Sequence, residues 1–218
     1  MKNNTVFVLL AGGKSQRMGV AKGLLQYQDT LWILEQLNRI SKANIDTVYI
    51  GLGHYFQHYL DTIPWFQQAL NNVVNYQGIA VKIIINPDPN LGSFSTLQSV
   101  FKQLDSKVNV LVNPIDVPIL NAVELNKIIA RQGTVVFPSF KGKKGHPIKL
   151  DAQFWQPLVT LDLADLNARL DFQVRKVNPA NICRVTVGDS AVIKNLNTRK
   201  EWFEFLDEKL VVESNNVV

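Results

Sequence analysis

Two stretches of the chain carry residues whose types and spacing suit chemistry on a polyphosphate. The first is Leu10-Ala-Gly-Gly-Lys-Ser-Gln-Arg-Met-Gly19, with Lys22 shortly after it. Gly12 and Gly13 let the backbone approach a ligand closely and adopt positive φ. Successive N–H groups of such a loop cradle phosphate oxygens. Lys14, Arg17 and Lys22 add fixed positive charge, and an arginine grips phosphate through two N–H groups at once. The second stretch is Asn113-Pro-Ile-Asp-Val-Pro118. Its prolines end the preceding apolar run and stiffen the turn, which presents Asp116 at a strand's carboxyl end. A hard carboxylate there suits Mg²⁺, an ion held by one or two carboxylates together with substrate phosphates.

Each stretch also has a plainer reading. The glycine loop is equally an ordinary strand-to-helix turn with solvated basic residues, and Asp116 is equally an Asx-turn residue. Two familiar phosphate loops are excluded by the letters. A Walker A loop ending at Gly13-Lys14 needs glycine at position 8, which is Val8; G-x-G-x-x-G is absent because the glycines are adjacent. His54 and His58 imitate a metal pair at i, i+4, but no acidic residue accompanies them before Asp61, which favours a helix surface. Asp88 reads as a turn residue or a group beside the ligand, and His146 alone reads as a solvated histidine in a surface turn.

The elements that must position these residues follow from the apolar pattern. The chain has 218 residues, 46% hydrophobic and 19% charged, a globular composition. Continuous runs predict strands at Val6–Leu10, Asp46–Leu52, Val81–Ile85, Val108–Val112, Thr134–Phe137 and Ile182–Val187. Helical spacing predicts helices over 30–43 and 92–104. Asn-x-x-Glu at Asn121 and Thr-x-x-Glu at Thr198 read as capping boxes, opening a helix to Ala130 and a final helix. Residues 53–78 read as a helix with a long connection. This alternation predicts an α/β three-layer sandwich with a mostly parallel central sheet, as one domain over 1–210 with a flexible tail at 211–218.

The net charge of +5 suits an anionic ligand without demanding one. The basic cluster Lys141, Lys143 and Lys144 is too short for a nucleic-acid arm. The lone Cys183 excludes an intrachain disulfide framework and any multi-cysteine metal site, and fits a reducing cytoplasm. Val6–Ala11 is shorter than a signal-peptide core and runs straight into Lys14 and Arg17, so it reads as a buried strand. No run reaches the ~18 apolar residues of a membrane span.

The segment from Leu10 to Leu25 resembles the signature L-A-G-G-x-x-x-R-M-G-x-x-K-x-L-L of the MobA-like nucleotidyltransferases, and Pro114-Ile-Asp-Val-Pro118 resembles their P-x-D-x-P. The resemblance extends over about residues 5–208. It implies a Rossmann-like, glycosyltransferase-A-like fold and transfer of GMP or CMP from a nucleoside triphosphate to a phosphorylated acceptor such as molybdopterin. It further implies Mg²⁺ as cofactor, and Lys22, Arg17 and Asp116 as the catalytic set. Nucleotide contacts fall on Leu10, Ala11, Gly12, Gly13, Lys14, Arg17, Lys22, Asn86, Gly92 and Thr96. The metal falls on Asp116 and Asn195, and the acceptor on His146. Nucleic acid and membrane are not expected partners.

The sequence departs from the family at several points. Thr96-Leu97 stands for Ser-Leu and keeps a hydroxyl. Arg199 stands where the guanylyl branch has proline, which loses only a helix-start preference. Gly12-Gly13 with Asn195 and Asn197 resembles the guanylyl branch, whereas Gly145-His146-Pro147 resembles the cytidylyl branch, so the base stays open between them. A sugar phosphate or another small phosphate ester as acceptor, and a non-catalytic nucleotide-binding regulatory protein, are the remaining readings.

Overall fold

Along β1 (Thr5–Ala11) alternate side chains leave the sheet in opposite directions. Phe7, Leu9 and Ala11 enter one hydrophobic layer and Val8 enters the other. A strand covered on both faces needs apolar residues at every position, which is why it reads as an unbroken run.

The computed structural model describes the backbone of residues 4–215 and side chains to residue 208. After β1 come a single helical turn at Lys22–Leu24, a hairpin of β2 (Gln26–Tyr27) and β3 (Thr30–Leu31), and α1 (Trp32–Ser41). Then follow β4 (Thr47–Leu52), α2 (Phe56–Thr62), α3 (Trp65–Asn71), β5 (Val74–Tyr76), β6 (Ile79–Ile85) and α4 (Ser93–Phe101). The second half contains β7 (Asn109–Pro114), α5 (Ala122–Ala130), β8 (Val135–Phe140), β9 (Lys143–Lys144), β10 (Ile148–Leu150), α6 (Ala152–Trp155), α7 (Leu170–Arg175), β11 (Ile182–Thr186) and α8 (Arg199–Asn215).

The sheet order is β11-β8-β10-β7-β1-β4-β6-β5, with β9 paired to β8. Strands β7, β1, β4 and β6 are mutually parallel, so their carboxyl ends share one edge. In that register Leu10 lies between Pro114 and Gly51. The chain leaving β1 therefore emerges beside the chain leaving β7. Helices α1, α5 and α8 cover one face through Trp32, Leu37, Leu125, Trp202 and Phe205. On the other face α4, α6 and α7 bring Leu97, Phe101, Trp155 and Val174.

The mixed α/β architecture with a mostly parallel sheet is the one the alternation predicts. Several details differ. The 53–78 stretch holds two short helices, α2 and α3, and the edge strand β5 antiparallel to β6. Strand β10 lies antiparallel between β7 and β8. Its three residues, directly after Pro147, are too few to show a period. The Thr198 capping box forms: Glu201 N–H donates to Thr198 Oγ1 at 3.2 Å, and the Glu201 carboxylate accepts from Thr198 N at 2.8 Å and Asn197 N at 2.9 Å. At Asn121 only half forms, with Glu124 N–H donating to Asn121 Oδ1, because the Glu124 carboxylate instead accepts from Gly188 N and Asp189 N. Helix α8 runs to Asn215, so most of the expected 211–218 tail is helical; residues 216–218 lie outside the described residues. No helix among the described residues is long and apolar enough to cross a membrane.

Tyr27, Trp32, Trp202 and Phe205 form one aromatic cluster, with Trp32 and Trp202 centroids 5.2 Å apart edge to face. The cluster seals α8 onto α1. Trp202→Ala is expected to cost about 3–5 kcal/mol, seen in urea unfolding as a lower midpoint at unchanged slope.

Candidate active site

Beyond Ala11 the backbone folds back on itself. Ser15 adopts φ 48°, and its carbonyl accepts from Met18 N at 2.9 Å and Gly19 N at 3.2 Å. Ser15 Oγ also accepts from Lys22 N at 3.3 Å, and Arg199 Nε reaches Met18 O at 3.3 Å, which ties the loop to α8. The glycine requirement is steric at Gly12. A Cβ there would lie 2.6 Å from Thr96 Oγ1, so any side chain would push α4 off the end of β1. Lys14 and Arg17 stand exposed on the loop.

The Asp116 turn is held from four directions. Trp32 Nε1 donates to Ile115 O at 2.7 Å, and Asn113 Nδ2 donates to Val117 O at 2.8 Å. Ile119 N donates to Gln36 Oε1 at 2.8 Å, and Leu196 N donates to Asp116 O at 2.8 Å. So fixed, the Asp116 carboxylate faces the glycine loop. Lys22 Nζ donates to Asp116 Oδ2 at 2.8 Å and to Asn197 Oδ1 at 2.7 Å. With 13% and 22% of the two charged side chains exposed, this ion pair is only partly screened by solvent.

These groups open onto a cleft of about 1080 Å³ along the carboxyl edge of the sheet. Leu10, Ala11, Gly12, Gly13, Lys14, Arg17, Lys22, Gly92, Thr96, Asp116 and His146 all line it. Two residues expected at the ligand are elsewhere. Asn86 is buried behind the wall, donating from Nδ2 to Ser95 Oγ at 2.7 Å and Thr96 Oγ1 at 3.0 Å. Asn195 is exposed and outside the cleft lining, whereas Asn197 is in it. A tight turn separates them: Asn197 N donates to Asn195 O at 3.0 Å around the buried Leu196. The amide oxygen that shares the Lys22 ammonium with Asp116 is that of Asn197.

The far half of the cleft carries Phe137, Ile148, Ala168 and Val174, with Lys144, Arg169 and Arg175 at its edge. Lys144 Nζ sits 4.8 Å from the Phe137 ring centroid. Sequence reasoning missed this half because α7 has six residues and the preceding stretch has no helical period. His146 closes the near side, its backbone N–H donating to Val192 O at 3.0 Å. At the neighbouring Gly145 a Cβ would fall 2.0 Å from Val192 O, so only glycine lets the two segments touch. Burial pushes the His146 pKa below the ordinary 6.5, and the Asp116 charge opposes that without reversing it. The Glu201 carboxyl is held below its ordinary value by the Thr198 hydroxyl first, and also by the Asn197 and Thr198 N–H groups and the Arg17 charge; desolvation opposes this.

The donor set fits a hard divalent cation. The Asp116 carboxylate and the Asn197 amide oxygen already converge on one positive charge, the Lys22 ammonium. Such a pair suits a hard divalent cation whose shell is completed by substrate phosphate oxygens. Among the described residues no cluster of three or more His, Cys, Asp or Glu suits a metal, which leaves His54 and His58 without an acidic partner set.

The family model described as MobA-like NTP transferase domain matches residues 7–177. The molybdenum cofactor guanylyltransferase of Xanthomonas euvesicatoria pv. vesicatoria (strain 85-10) is 25% identical over 201 residues, covering 92% of this chain and 94% of that one. A nucleotidyl transferase from Methanothermobacter thermautotroptrophicus superposes with TM-score 0.74 at 17% identity, covering 96% of this chain and 99% of that one. Rv0371C of Mycobacterium tuberculosis H37Rv, solved in complex with manganese, gives TM-score 0.68 at 16% identity, with coverages of 95% and 100%. At such identities the structures speak to the fold.

The buried His146 generates a pH dependence. Its folded pKa lies below 6.5, so between those values the unfolded chain binds the extra proton and the folded one does not. Stability is then full above about pH 6.5 and falls on acidification toward the folded pKa, by at most about 1.4 kcal/mol per pH unit. Thermal melts at pH 7.5 and 5.5 should show a larger loss for the wild type than for His146→Gln. Equal losses would show that another group carries the effect.

Proposed function

The chain belongs to the MobA-like NTP transferase family and is a nucleotidyltransferase; on that premise we propose that it moves GMP or CMP from the triphosphate to a small phosphorylated acceptor, molybdopterin first among them, with release of pyrophosphate. The observation that carries this reading is the convergence of Lys22, Asp116 and Asn197 at the foot of the glycine loop. The guanylyltransferase relative supports GTP as the first donor to try, and the Gly145-His146-Pro147 turn supports CTP as the second.

A phosphate oxygen of the acceptor attacks the α-phosphorus. One P–O bond forms, the bond to the β-phosphate oxygen breaks, and pyrophosphate carries away the electron pair. A phosphate nucleophile is already ionised near neutral pH, so the site needs no general base. Catalysis here is positioning and charge compensation. The backbone of Gly12 and Gly13 seats the donor phosphates, and Arg17 orients the β- and γ-phosphates. Lys22, tethered next to Asp116, follows the charge that develops at the α-phosphate. His146, kept neutral by burial, offers the acceptor a hydrogen bond without adding charge. Asp116 and Asn197 would hold Mg²⁺, which when bound supplies neutralisation of phosphate charge.

Pyrophosphate release with molybdopterin, Mg²⁺ and each of the four common triphosphates is the direct test. GTP or CTP should be the productive donor and should give the largest thermal shift. Asp116→Asn should lower turnover by about 10²–10³-fold, in the range seen when preorganised charge stabilisation is removed, with the melting curve retained. Near-normal pyrophosphate release from that variant would overturn the role given to the carboxylate.

A further inference from the structure

Lys22 opens the single turn Lys22–Leu24, so the backbone of that turn decides where the ammonium can reach. The residue before it is Ala21, which has no side-chain oxygen to cap the turn. The first N–H groups of the turn therefore need acceptors from elsewhere. Leu24 N–H finds Ala21 O at 2.9 Å, and Lys22 N–H finds Ser15 Oγ at 3.3 Å. Gly23 N–H donates to the hydroxyl of Tyr59 at 3.1 Å, across 36 residues of chain.

Tyr59 lies on α2, 1% exposed, its ring stacked on Phe66 of α3 with centroids 6.4 Å apart. Packing thus fixes the ring, and the ring fixes the hydroxyl. Burial pushes the phenol pKa above the ordinary 10, with the Gly23 N–H opposing, so the hydroxyl stays neutral at physiological pH. The fit is close from the other side as well. A Cβ on Gly23 would lie 2.7 Å from Tyr59 Oη and 2.8 Å from its Cε1, so glycine is needed at position 23 for space. A plain apolar ring would fill the same volume, but it would leave the N–H of the buried Gly23 unpaired, which is costly.

We propose that Tyr59 is a positioning residue for the transfer: by accepting the Gly23 N–H, its buried hydroxyl seats the turn from which Lys22 reaches Asp116 and Asn197, and so sets the ammonium against the α-phosphate of the donor. The inference rests on the role given to Lys22 in the transfer. Tyr59 is outside the cleft lining, so it touches no substrate and acts only through the turn.

Tyr59→Phe keeps the ring and deletes only the acceptor. Pyrophosphate release should show a kcat about threefold to tenfold lower, the size of one net hydrogen bond, with KM for the triphosphate little changed. In the Lys22→Met background the same substitution should cost nothing further, because both changes act on one group. A second arm needs no substrate: acetylation of each lysine by acetic anhydride, read by mass spectrometry. Lys22 should label about threefold to tenfold faster in Tyr59→Phe than in wild type. Lys149, 3% exposed on β10, should label as before, whereas a merely loosened fold would raise both. Should Tyr59→Phe fail to fold by circular dichroism, Gly23→Ala, which crowds the same hydroxyl from the other side, takes its place in each arm. Unchanged Lys22 labelling, an unchanged kcat, or a loss that persists in the Lys22→Met background would overturn the proposal. Wild-type turnover in Lys22→Met alone would instead sink the catalytic role of Lys22, and the labelling arm would still decide whether Tyr59 seats its turn.

Discussion

One ammonium group holds the working edge of this molecule together. Lys22 Nζ sits between Asp116 and Asn197, which follow β7 and precede α8. Lys22 itself follows the glycine loop, so three chain segments meet at a single charge. The pair is sheltered enough for its attraction to exceed that of a surface ion pair. A cluster of oxygens gathered around a cation is also a site that can take a different cation.

The rest of the fold delivers those segments within bonding distance. Parallel pairing of β7 and β1 brings both carboxyl ends to one edge. The absence of a Cβ at Gly12 lets α4 close on β1 from one side. On the other side, Trp32 both donates to the carbonyl just before Asp116 and packs against Trp202 and Phe205 of α8. Core packing and site geometry thus share the same residue. The Leu196 N–H bond to Asp116 O completes the link, setting the backbone next to Asn197 against the backbone of Asp116.

What was legible in the sequence, and what was not, has a physical division. The strands β1 and β7 and the turns after them are readable because buried parallel strands are unbroken apolar runs, and because glycine and proline mark their ends. The Thr198 capping box is readable because both halves of its bonding are local. The choice between Asn195 and Asn197 is not local: it depends on a turn around Leu196 whose N–H is claimed by Asp116, far away in the chain. Asn86 enters the expected ligand set through the family resemblance alone, and its amide is buried among its own neighbours. In the apolar half of the cleft Phe137 lies on a legible strand, whereas Ile148 lies on a three-residue strand and Val174 on a six-residue helix, each too short to show its period.

Manganese binding in the absence of nucleotide, followed by electron paramagnetic resonance, tests the shared cation seat most directly. Lys22→Met vacates the point on which Asp116 and Asn197 converge without removing either oxygen. That variant should bind Mn²⁺ about tenfold or more tightly than wild type, equivalent to about 1.4 kcal/mol, and adding Asp116→Asn should abolish the gain. Indistinguishable Mn²⁺ affinities for wild type and Lys22→Met would mean that the ammonium and a metal ion do not compete for one place.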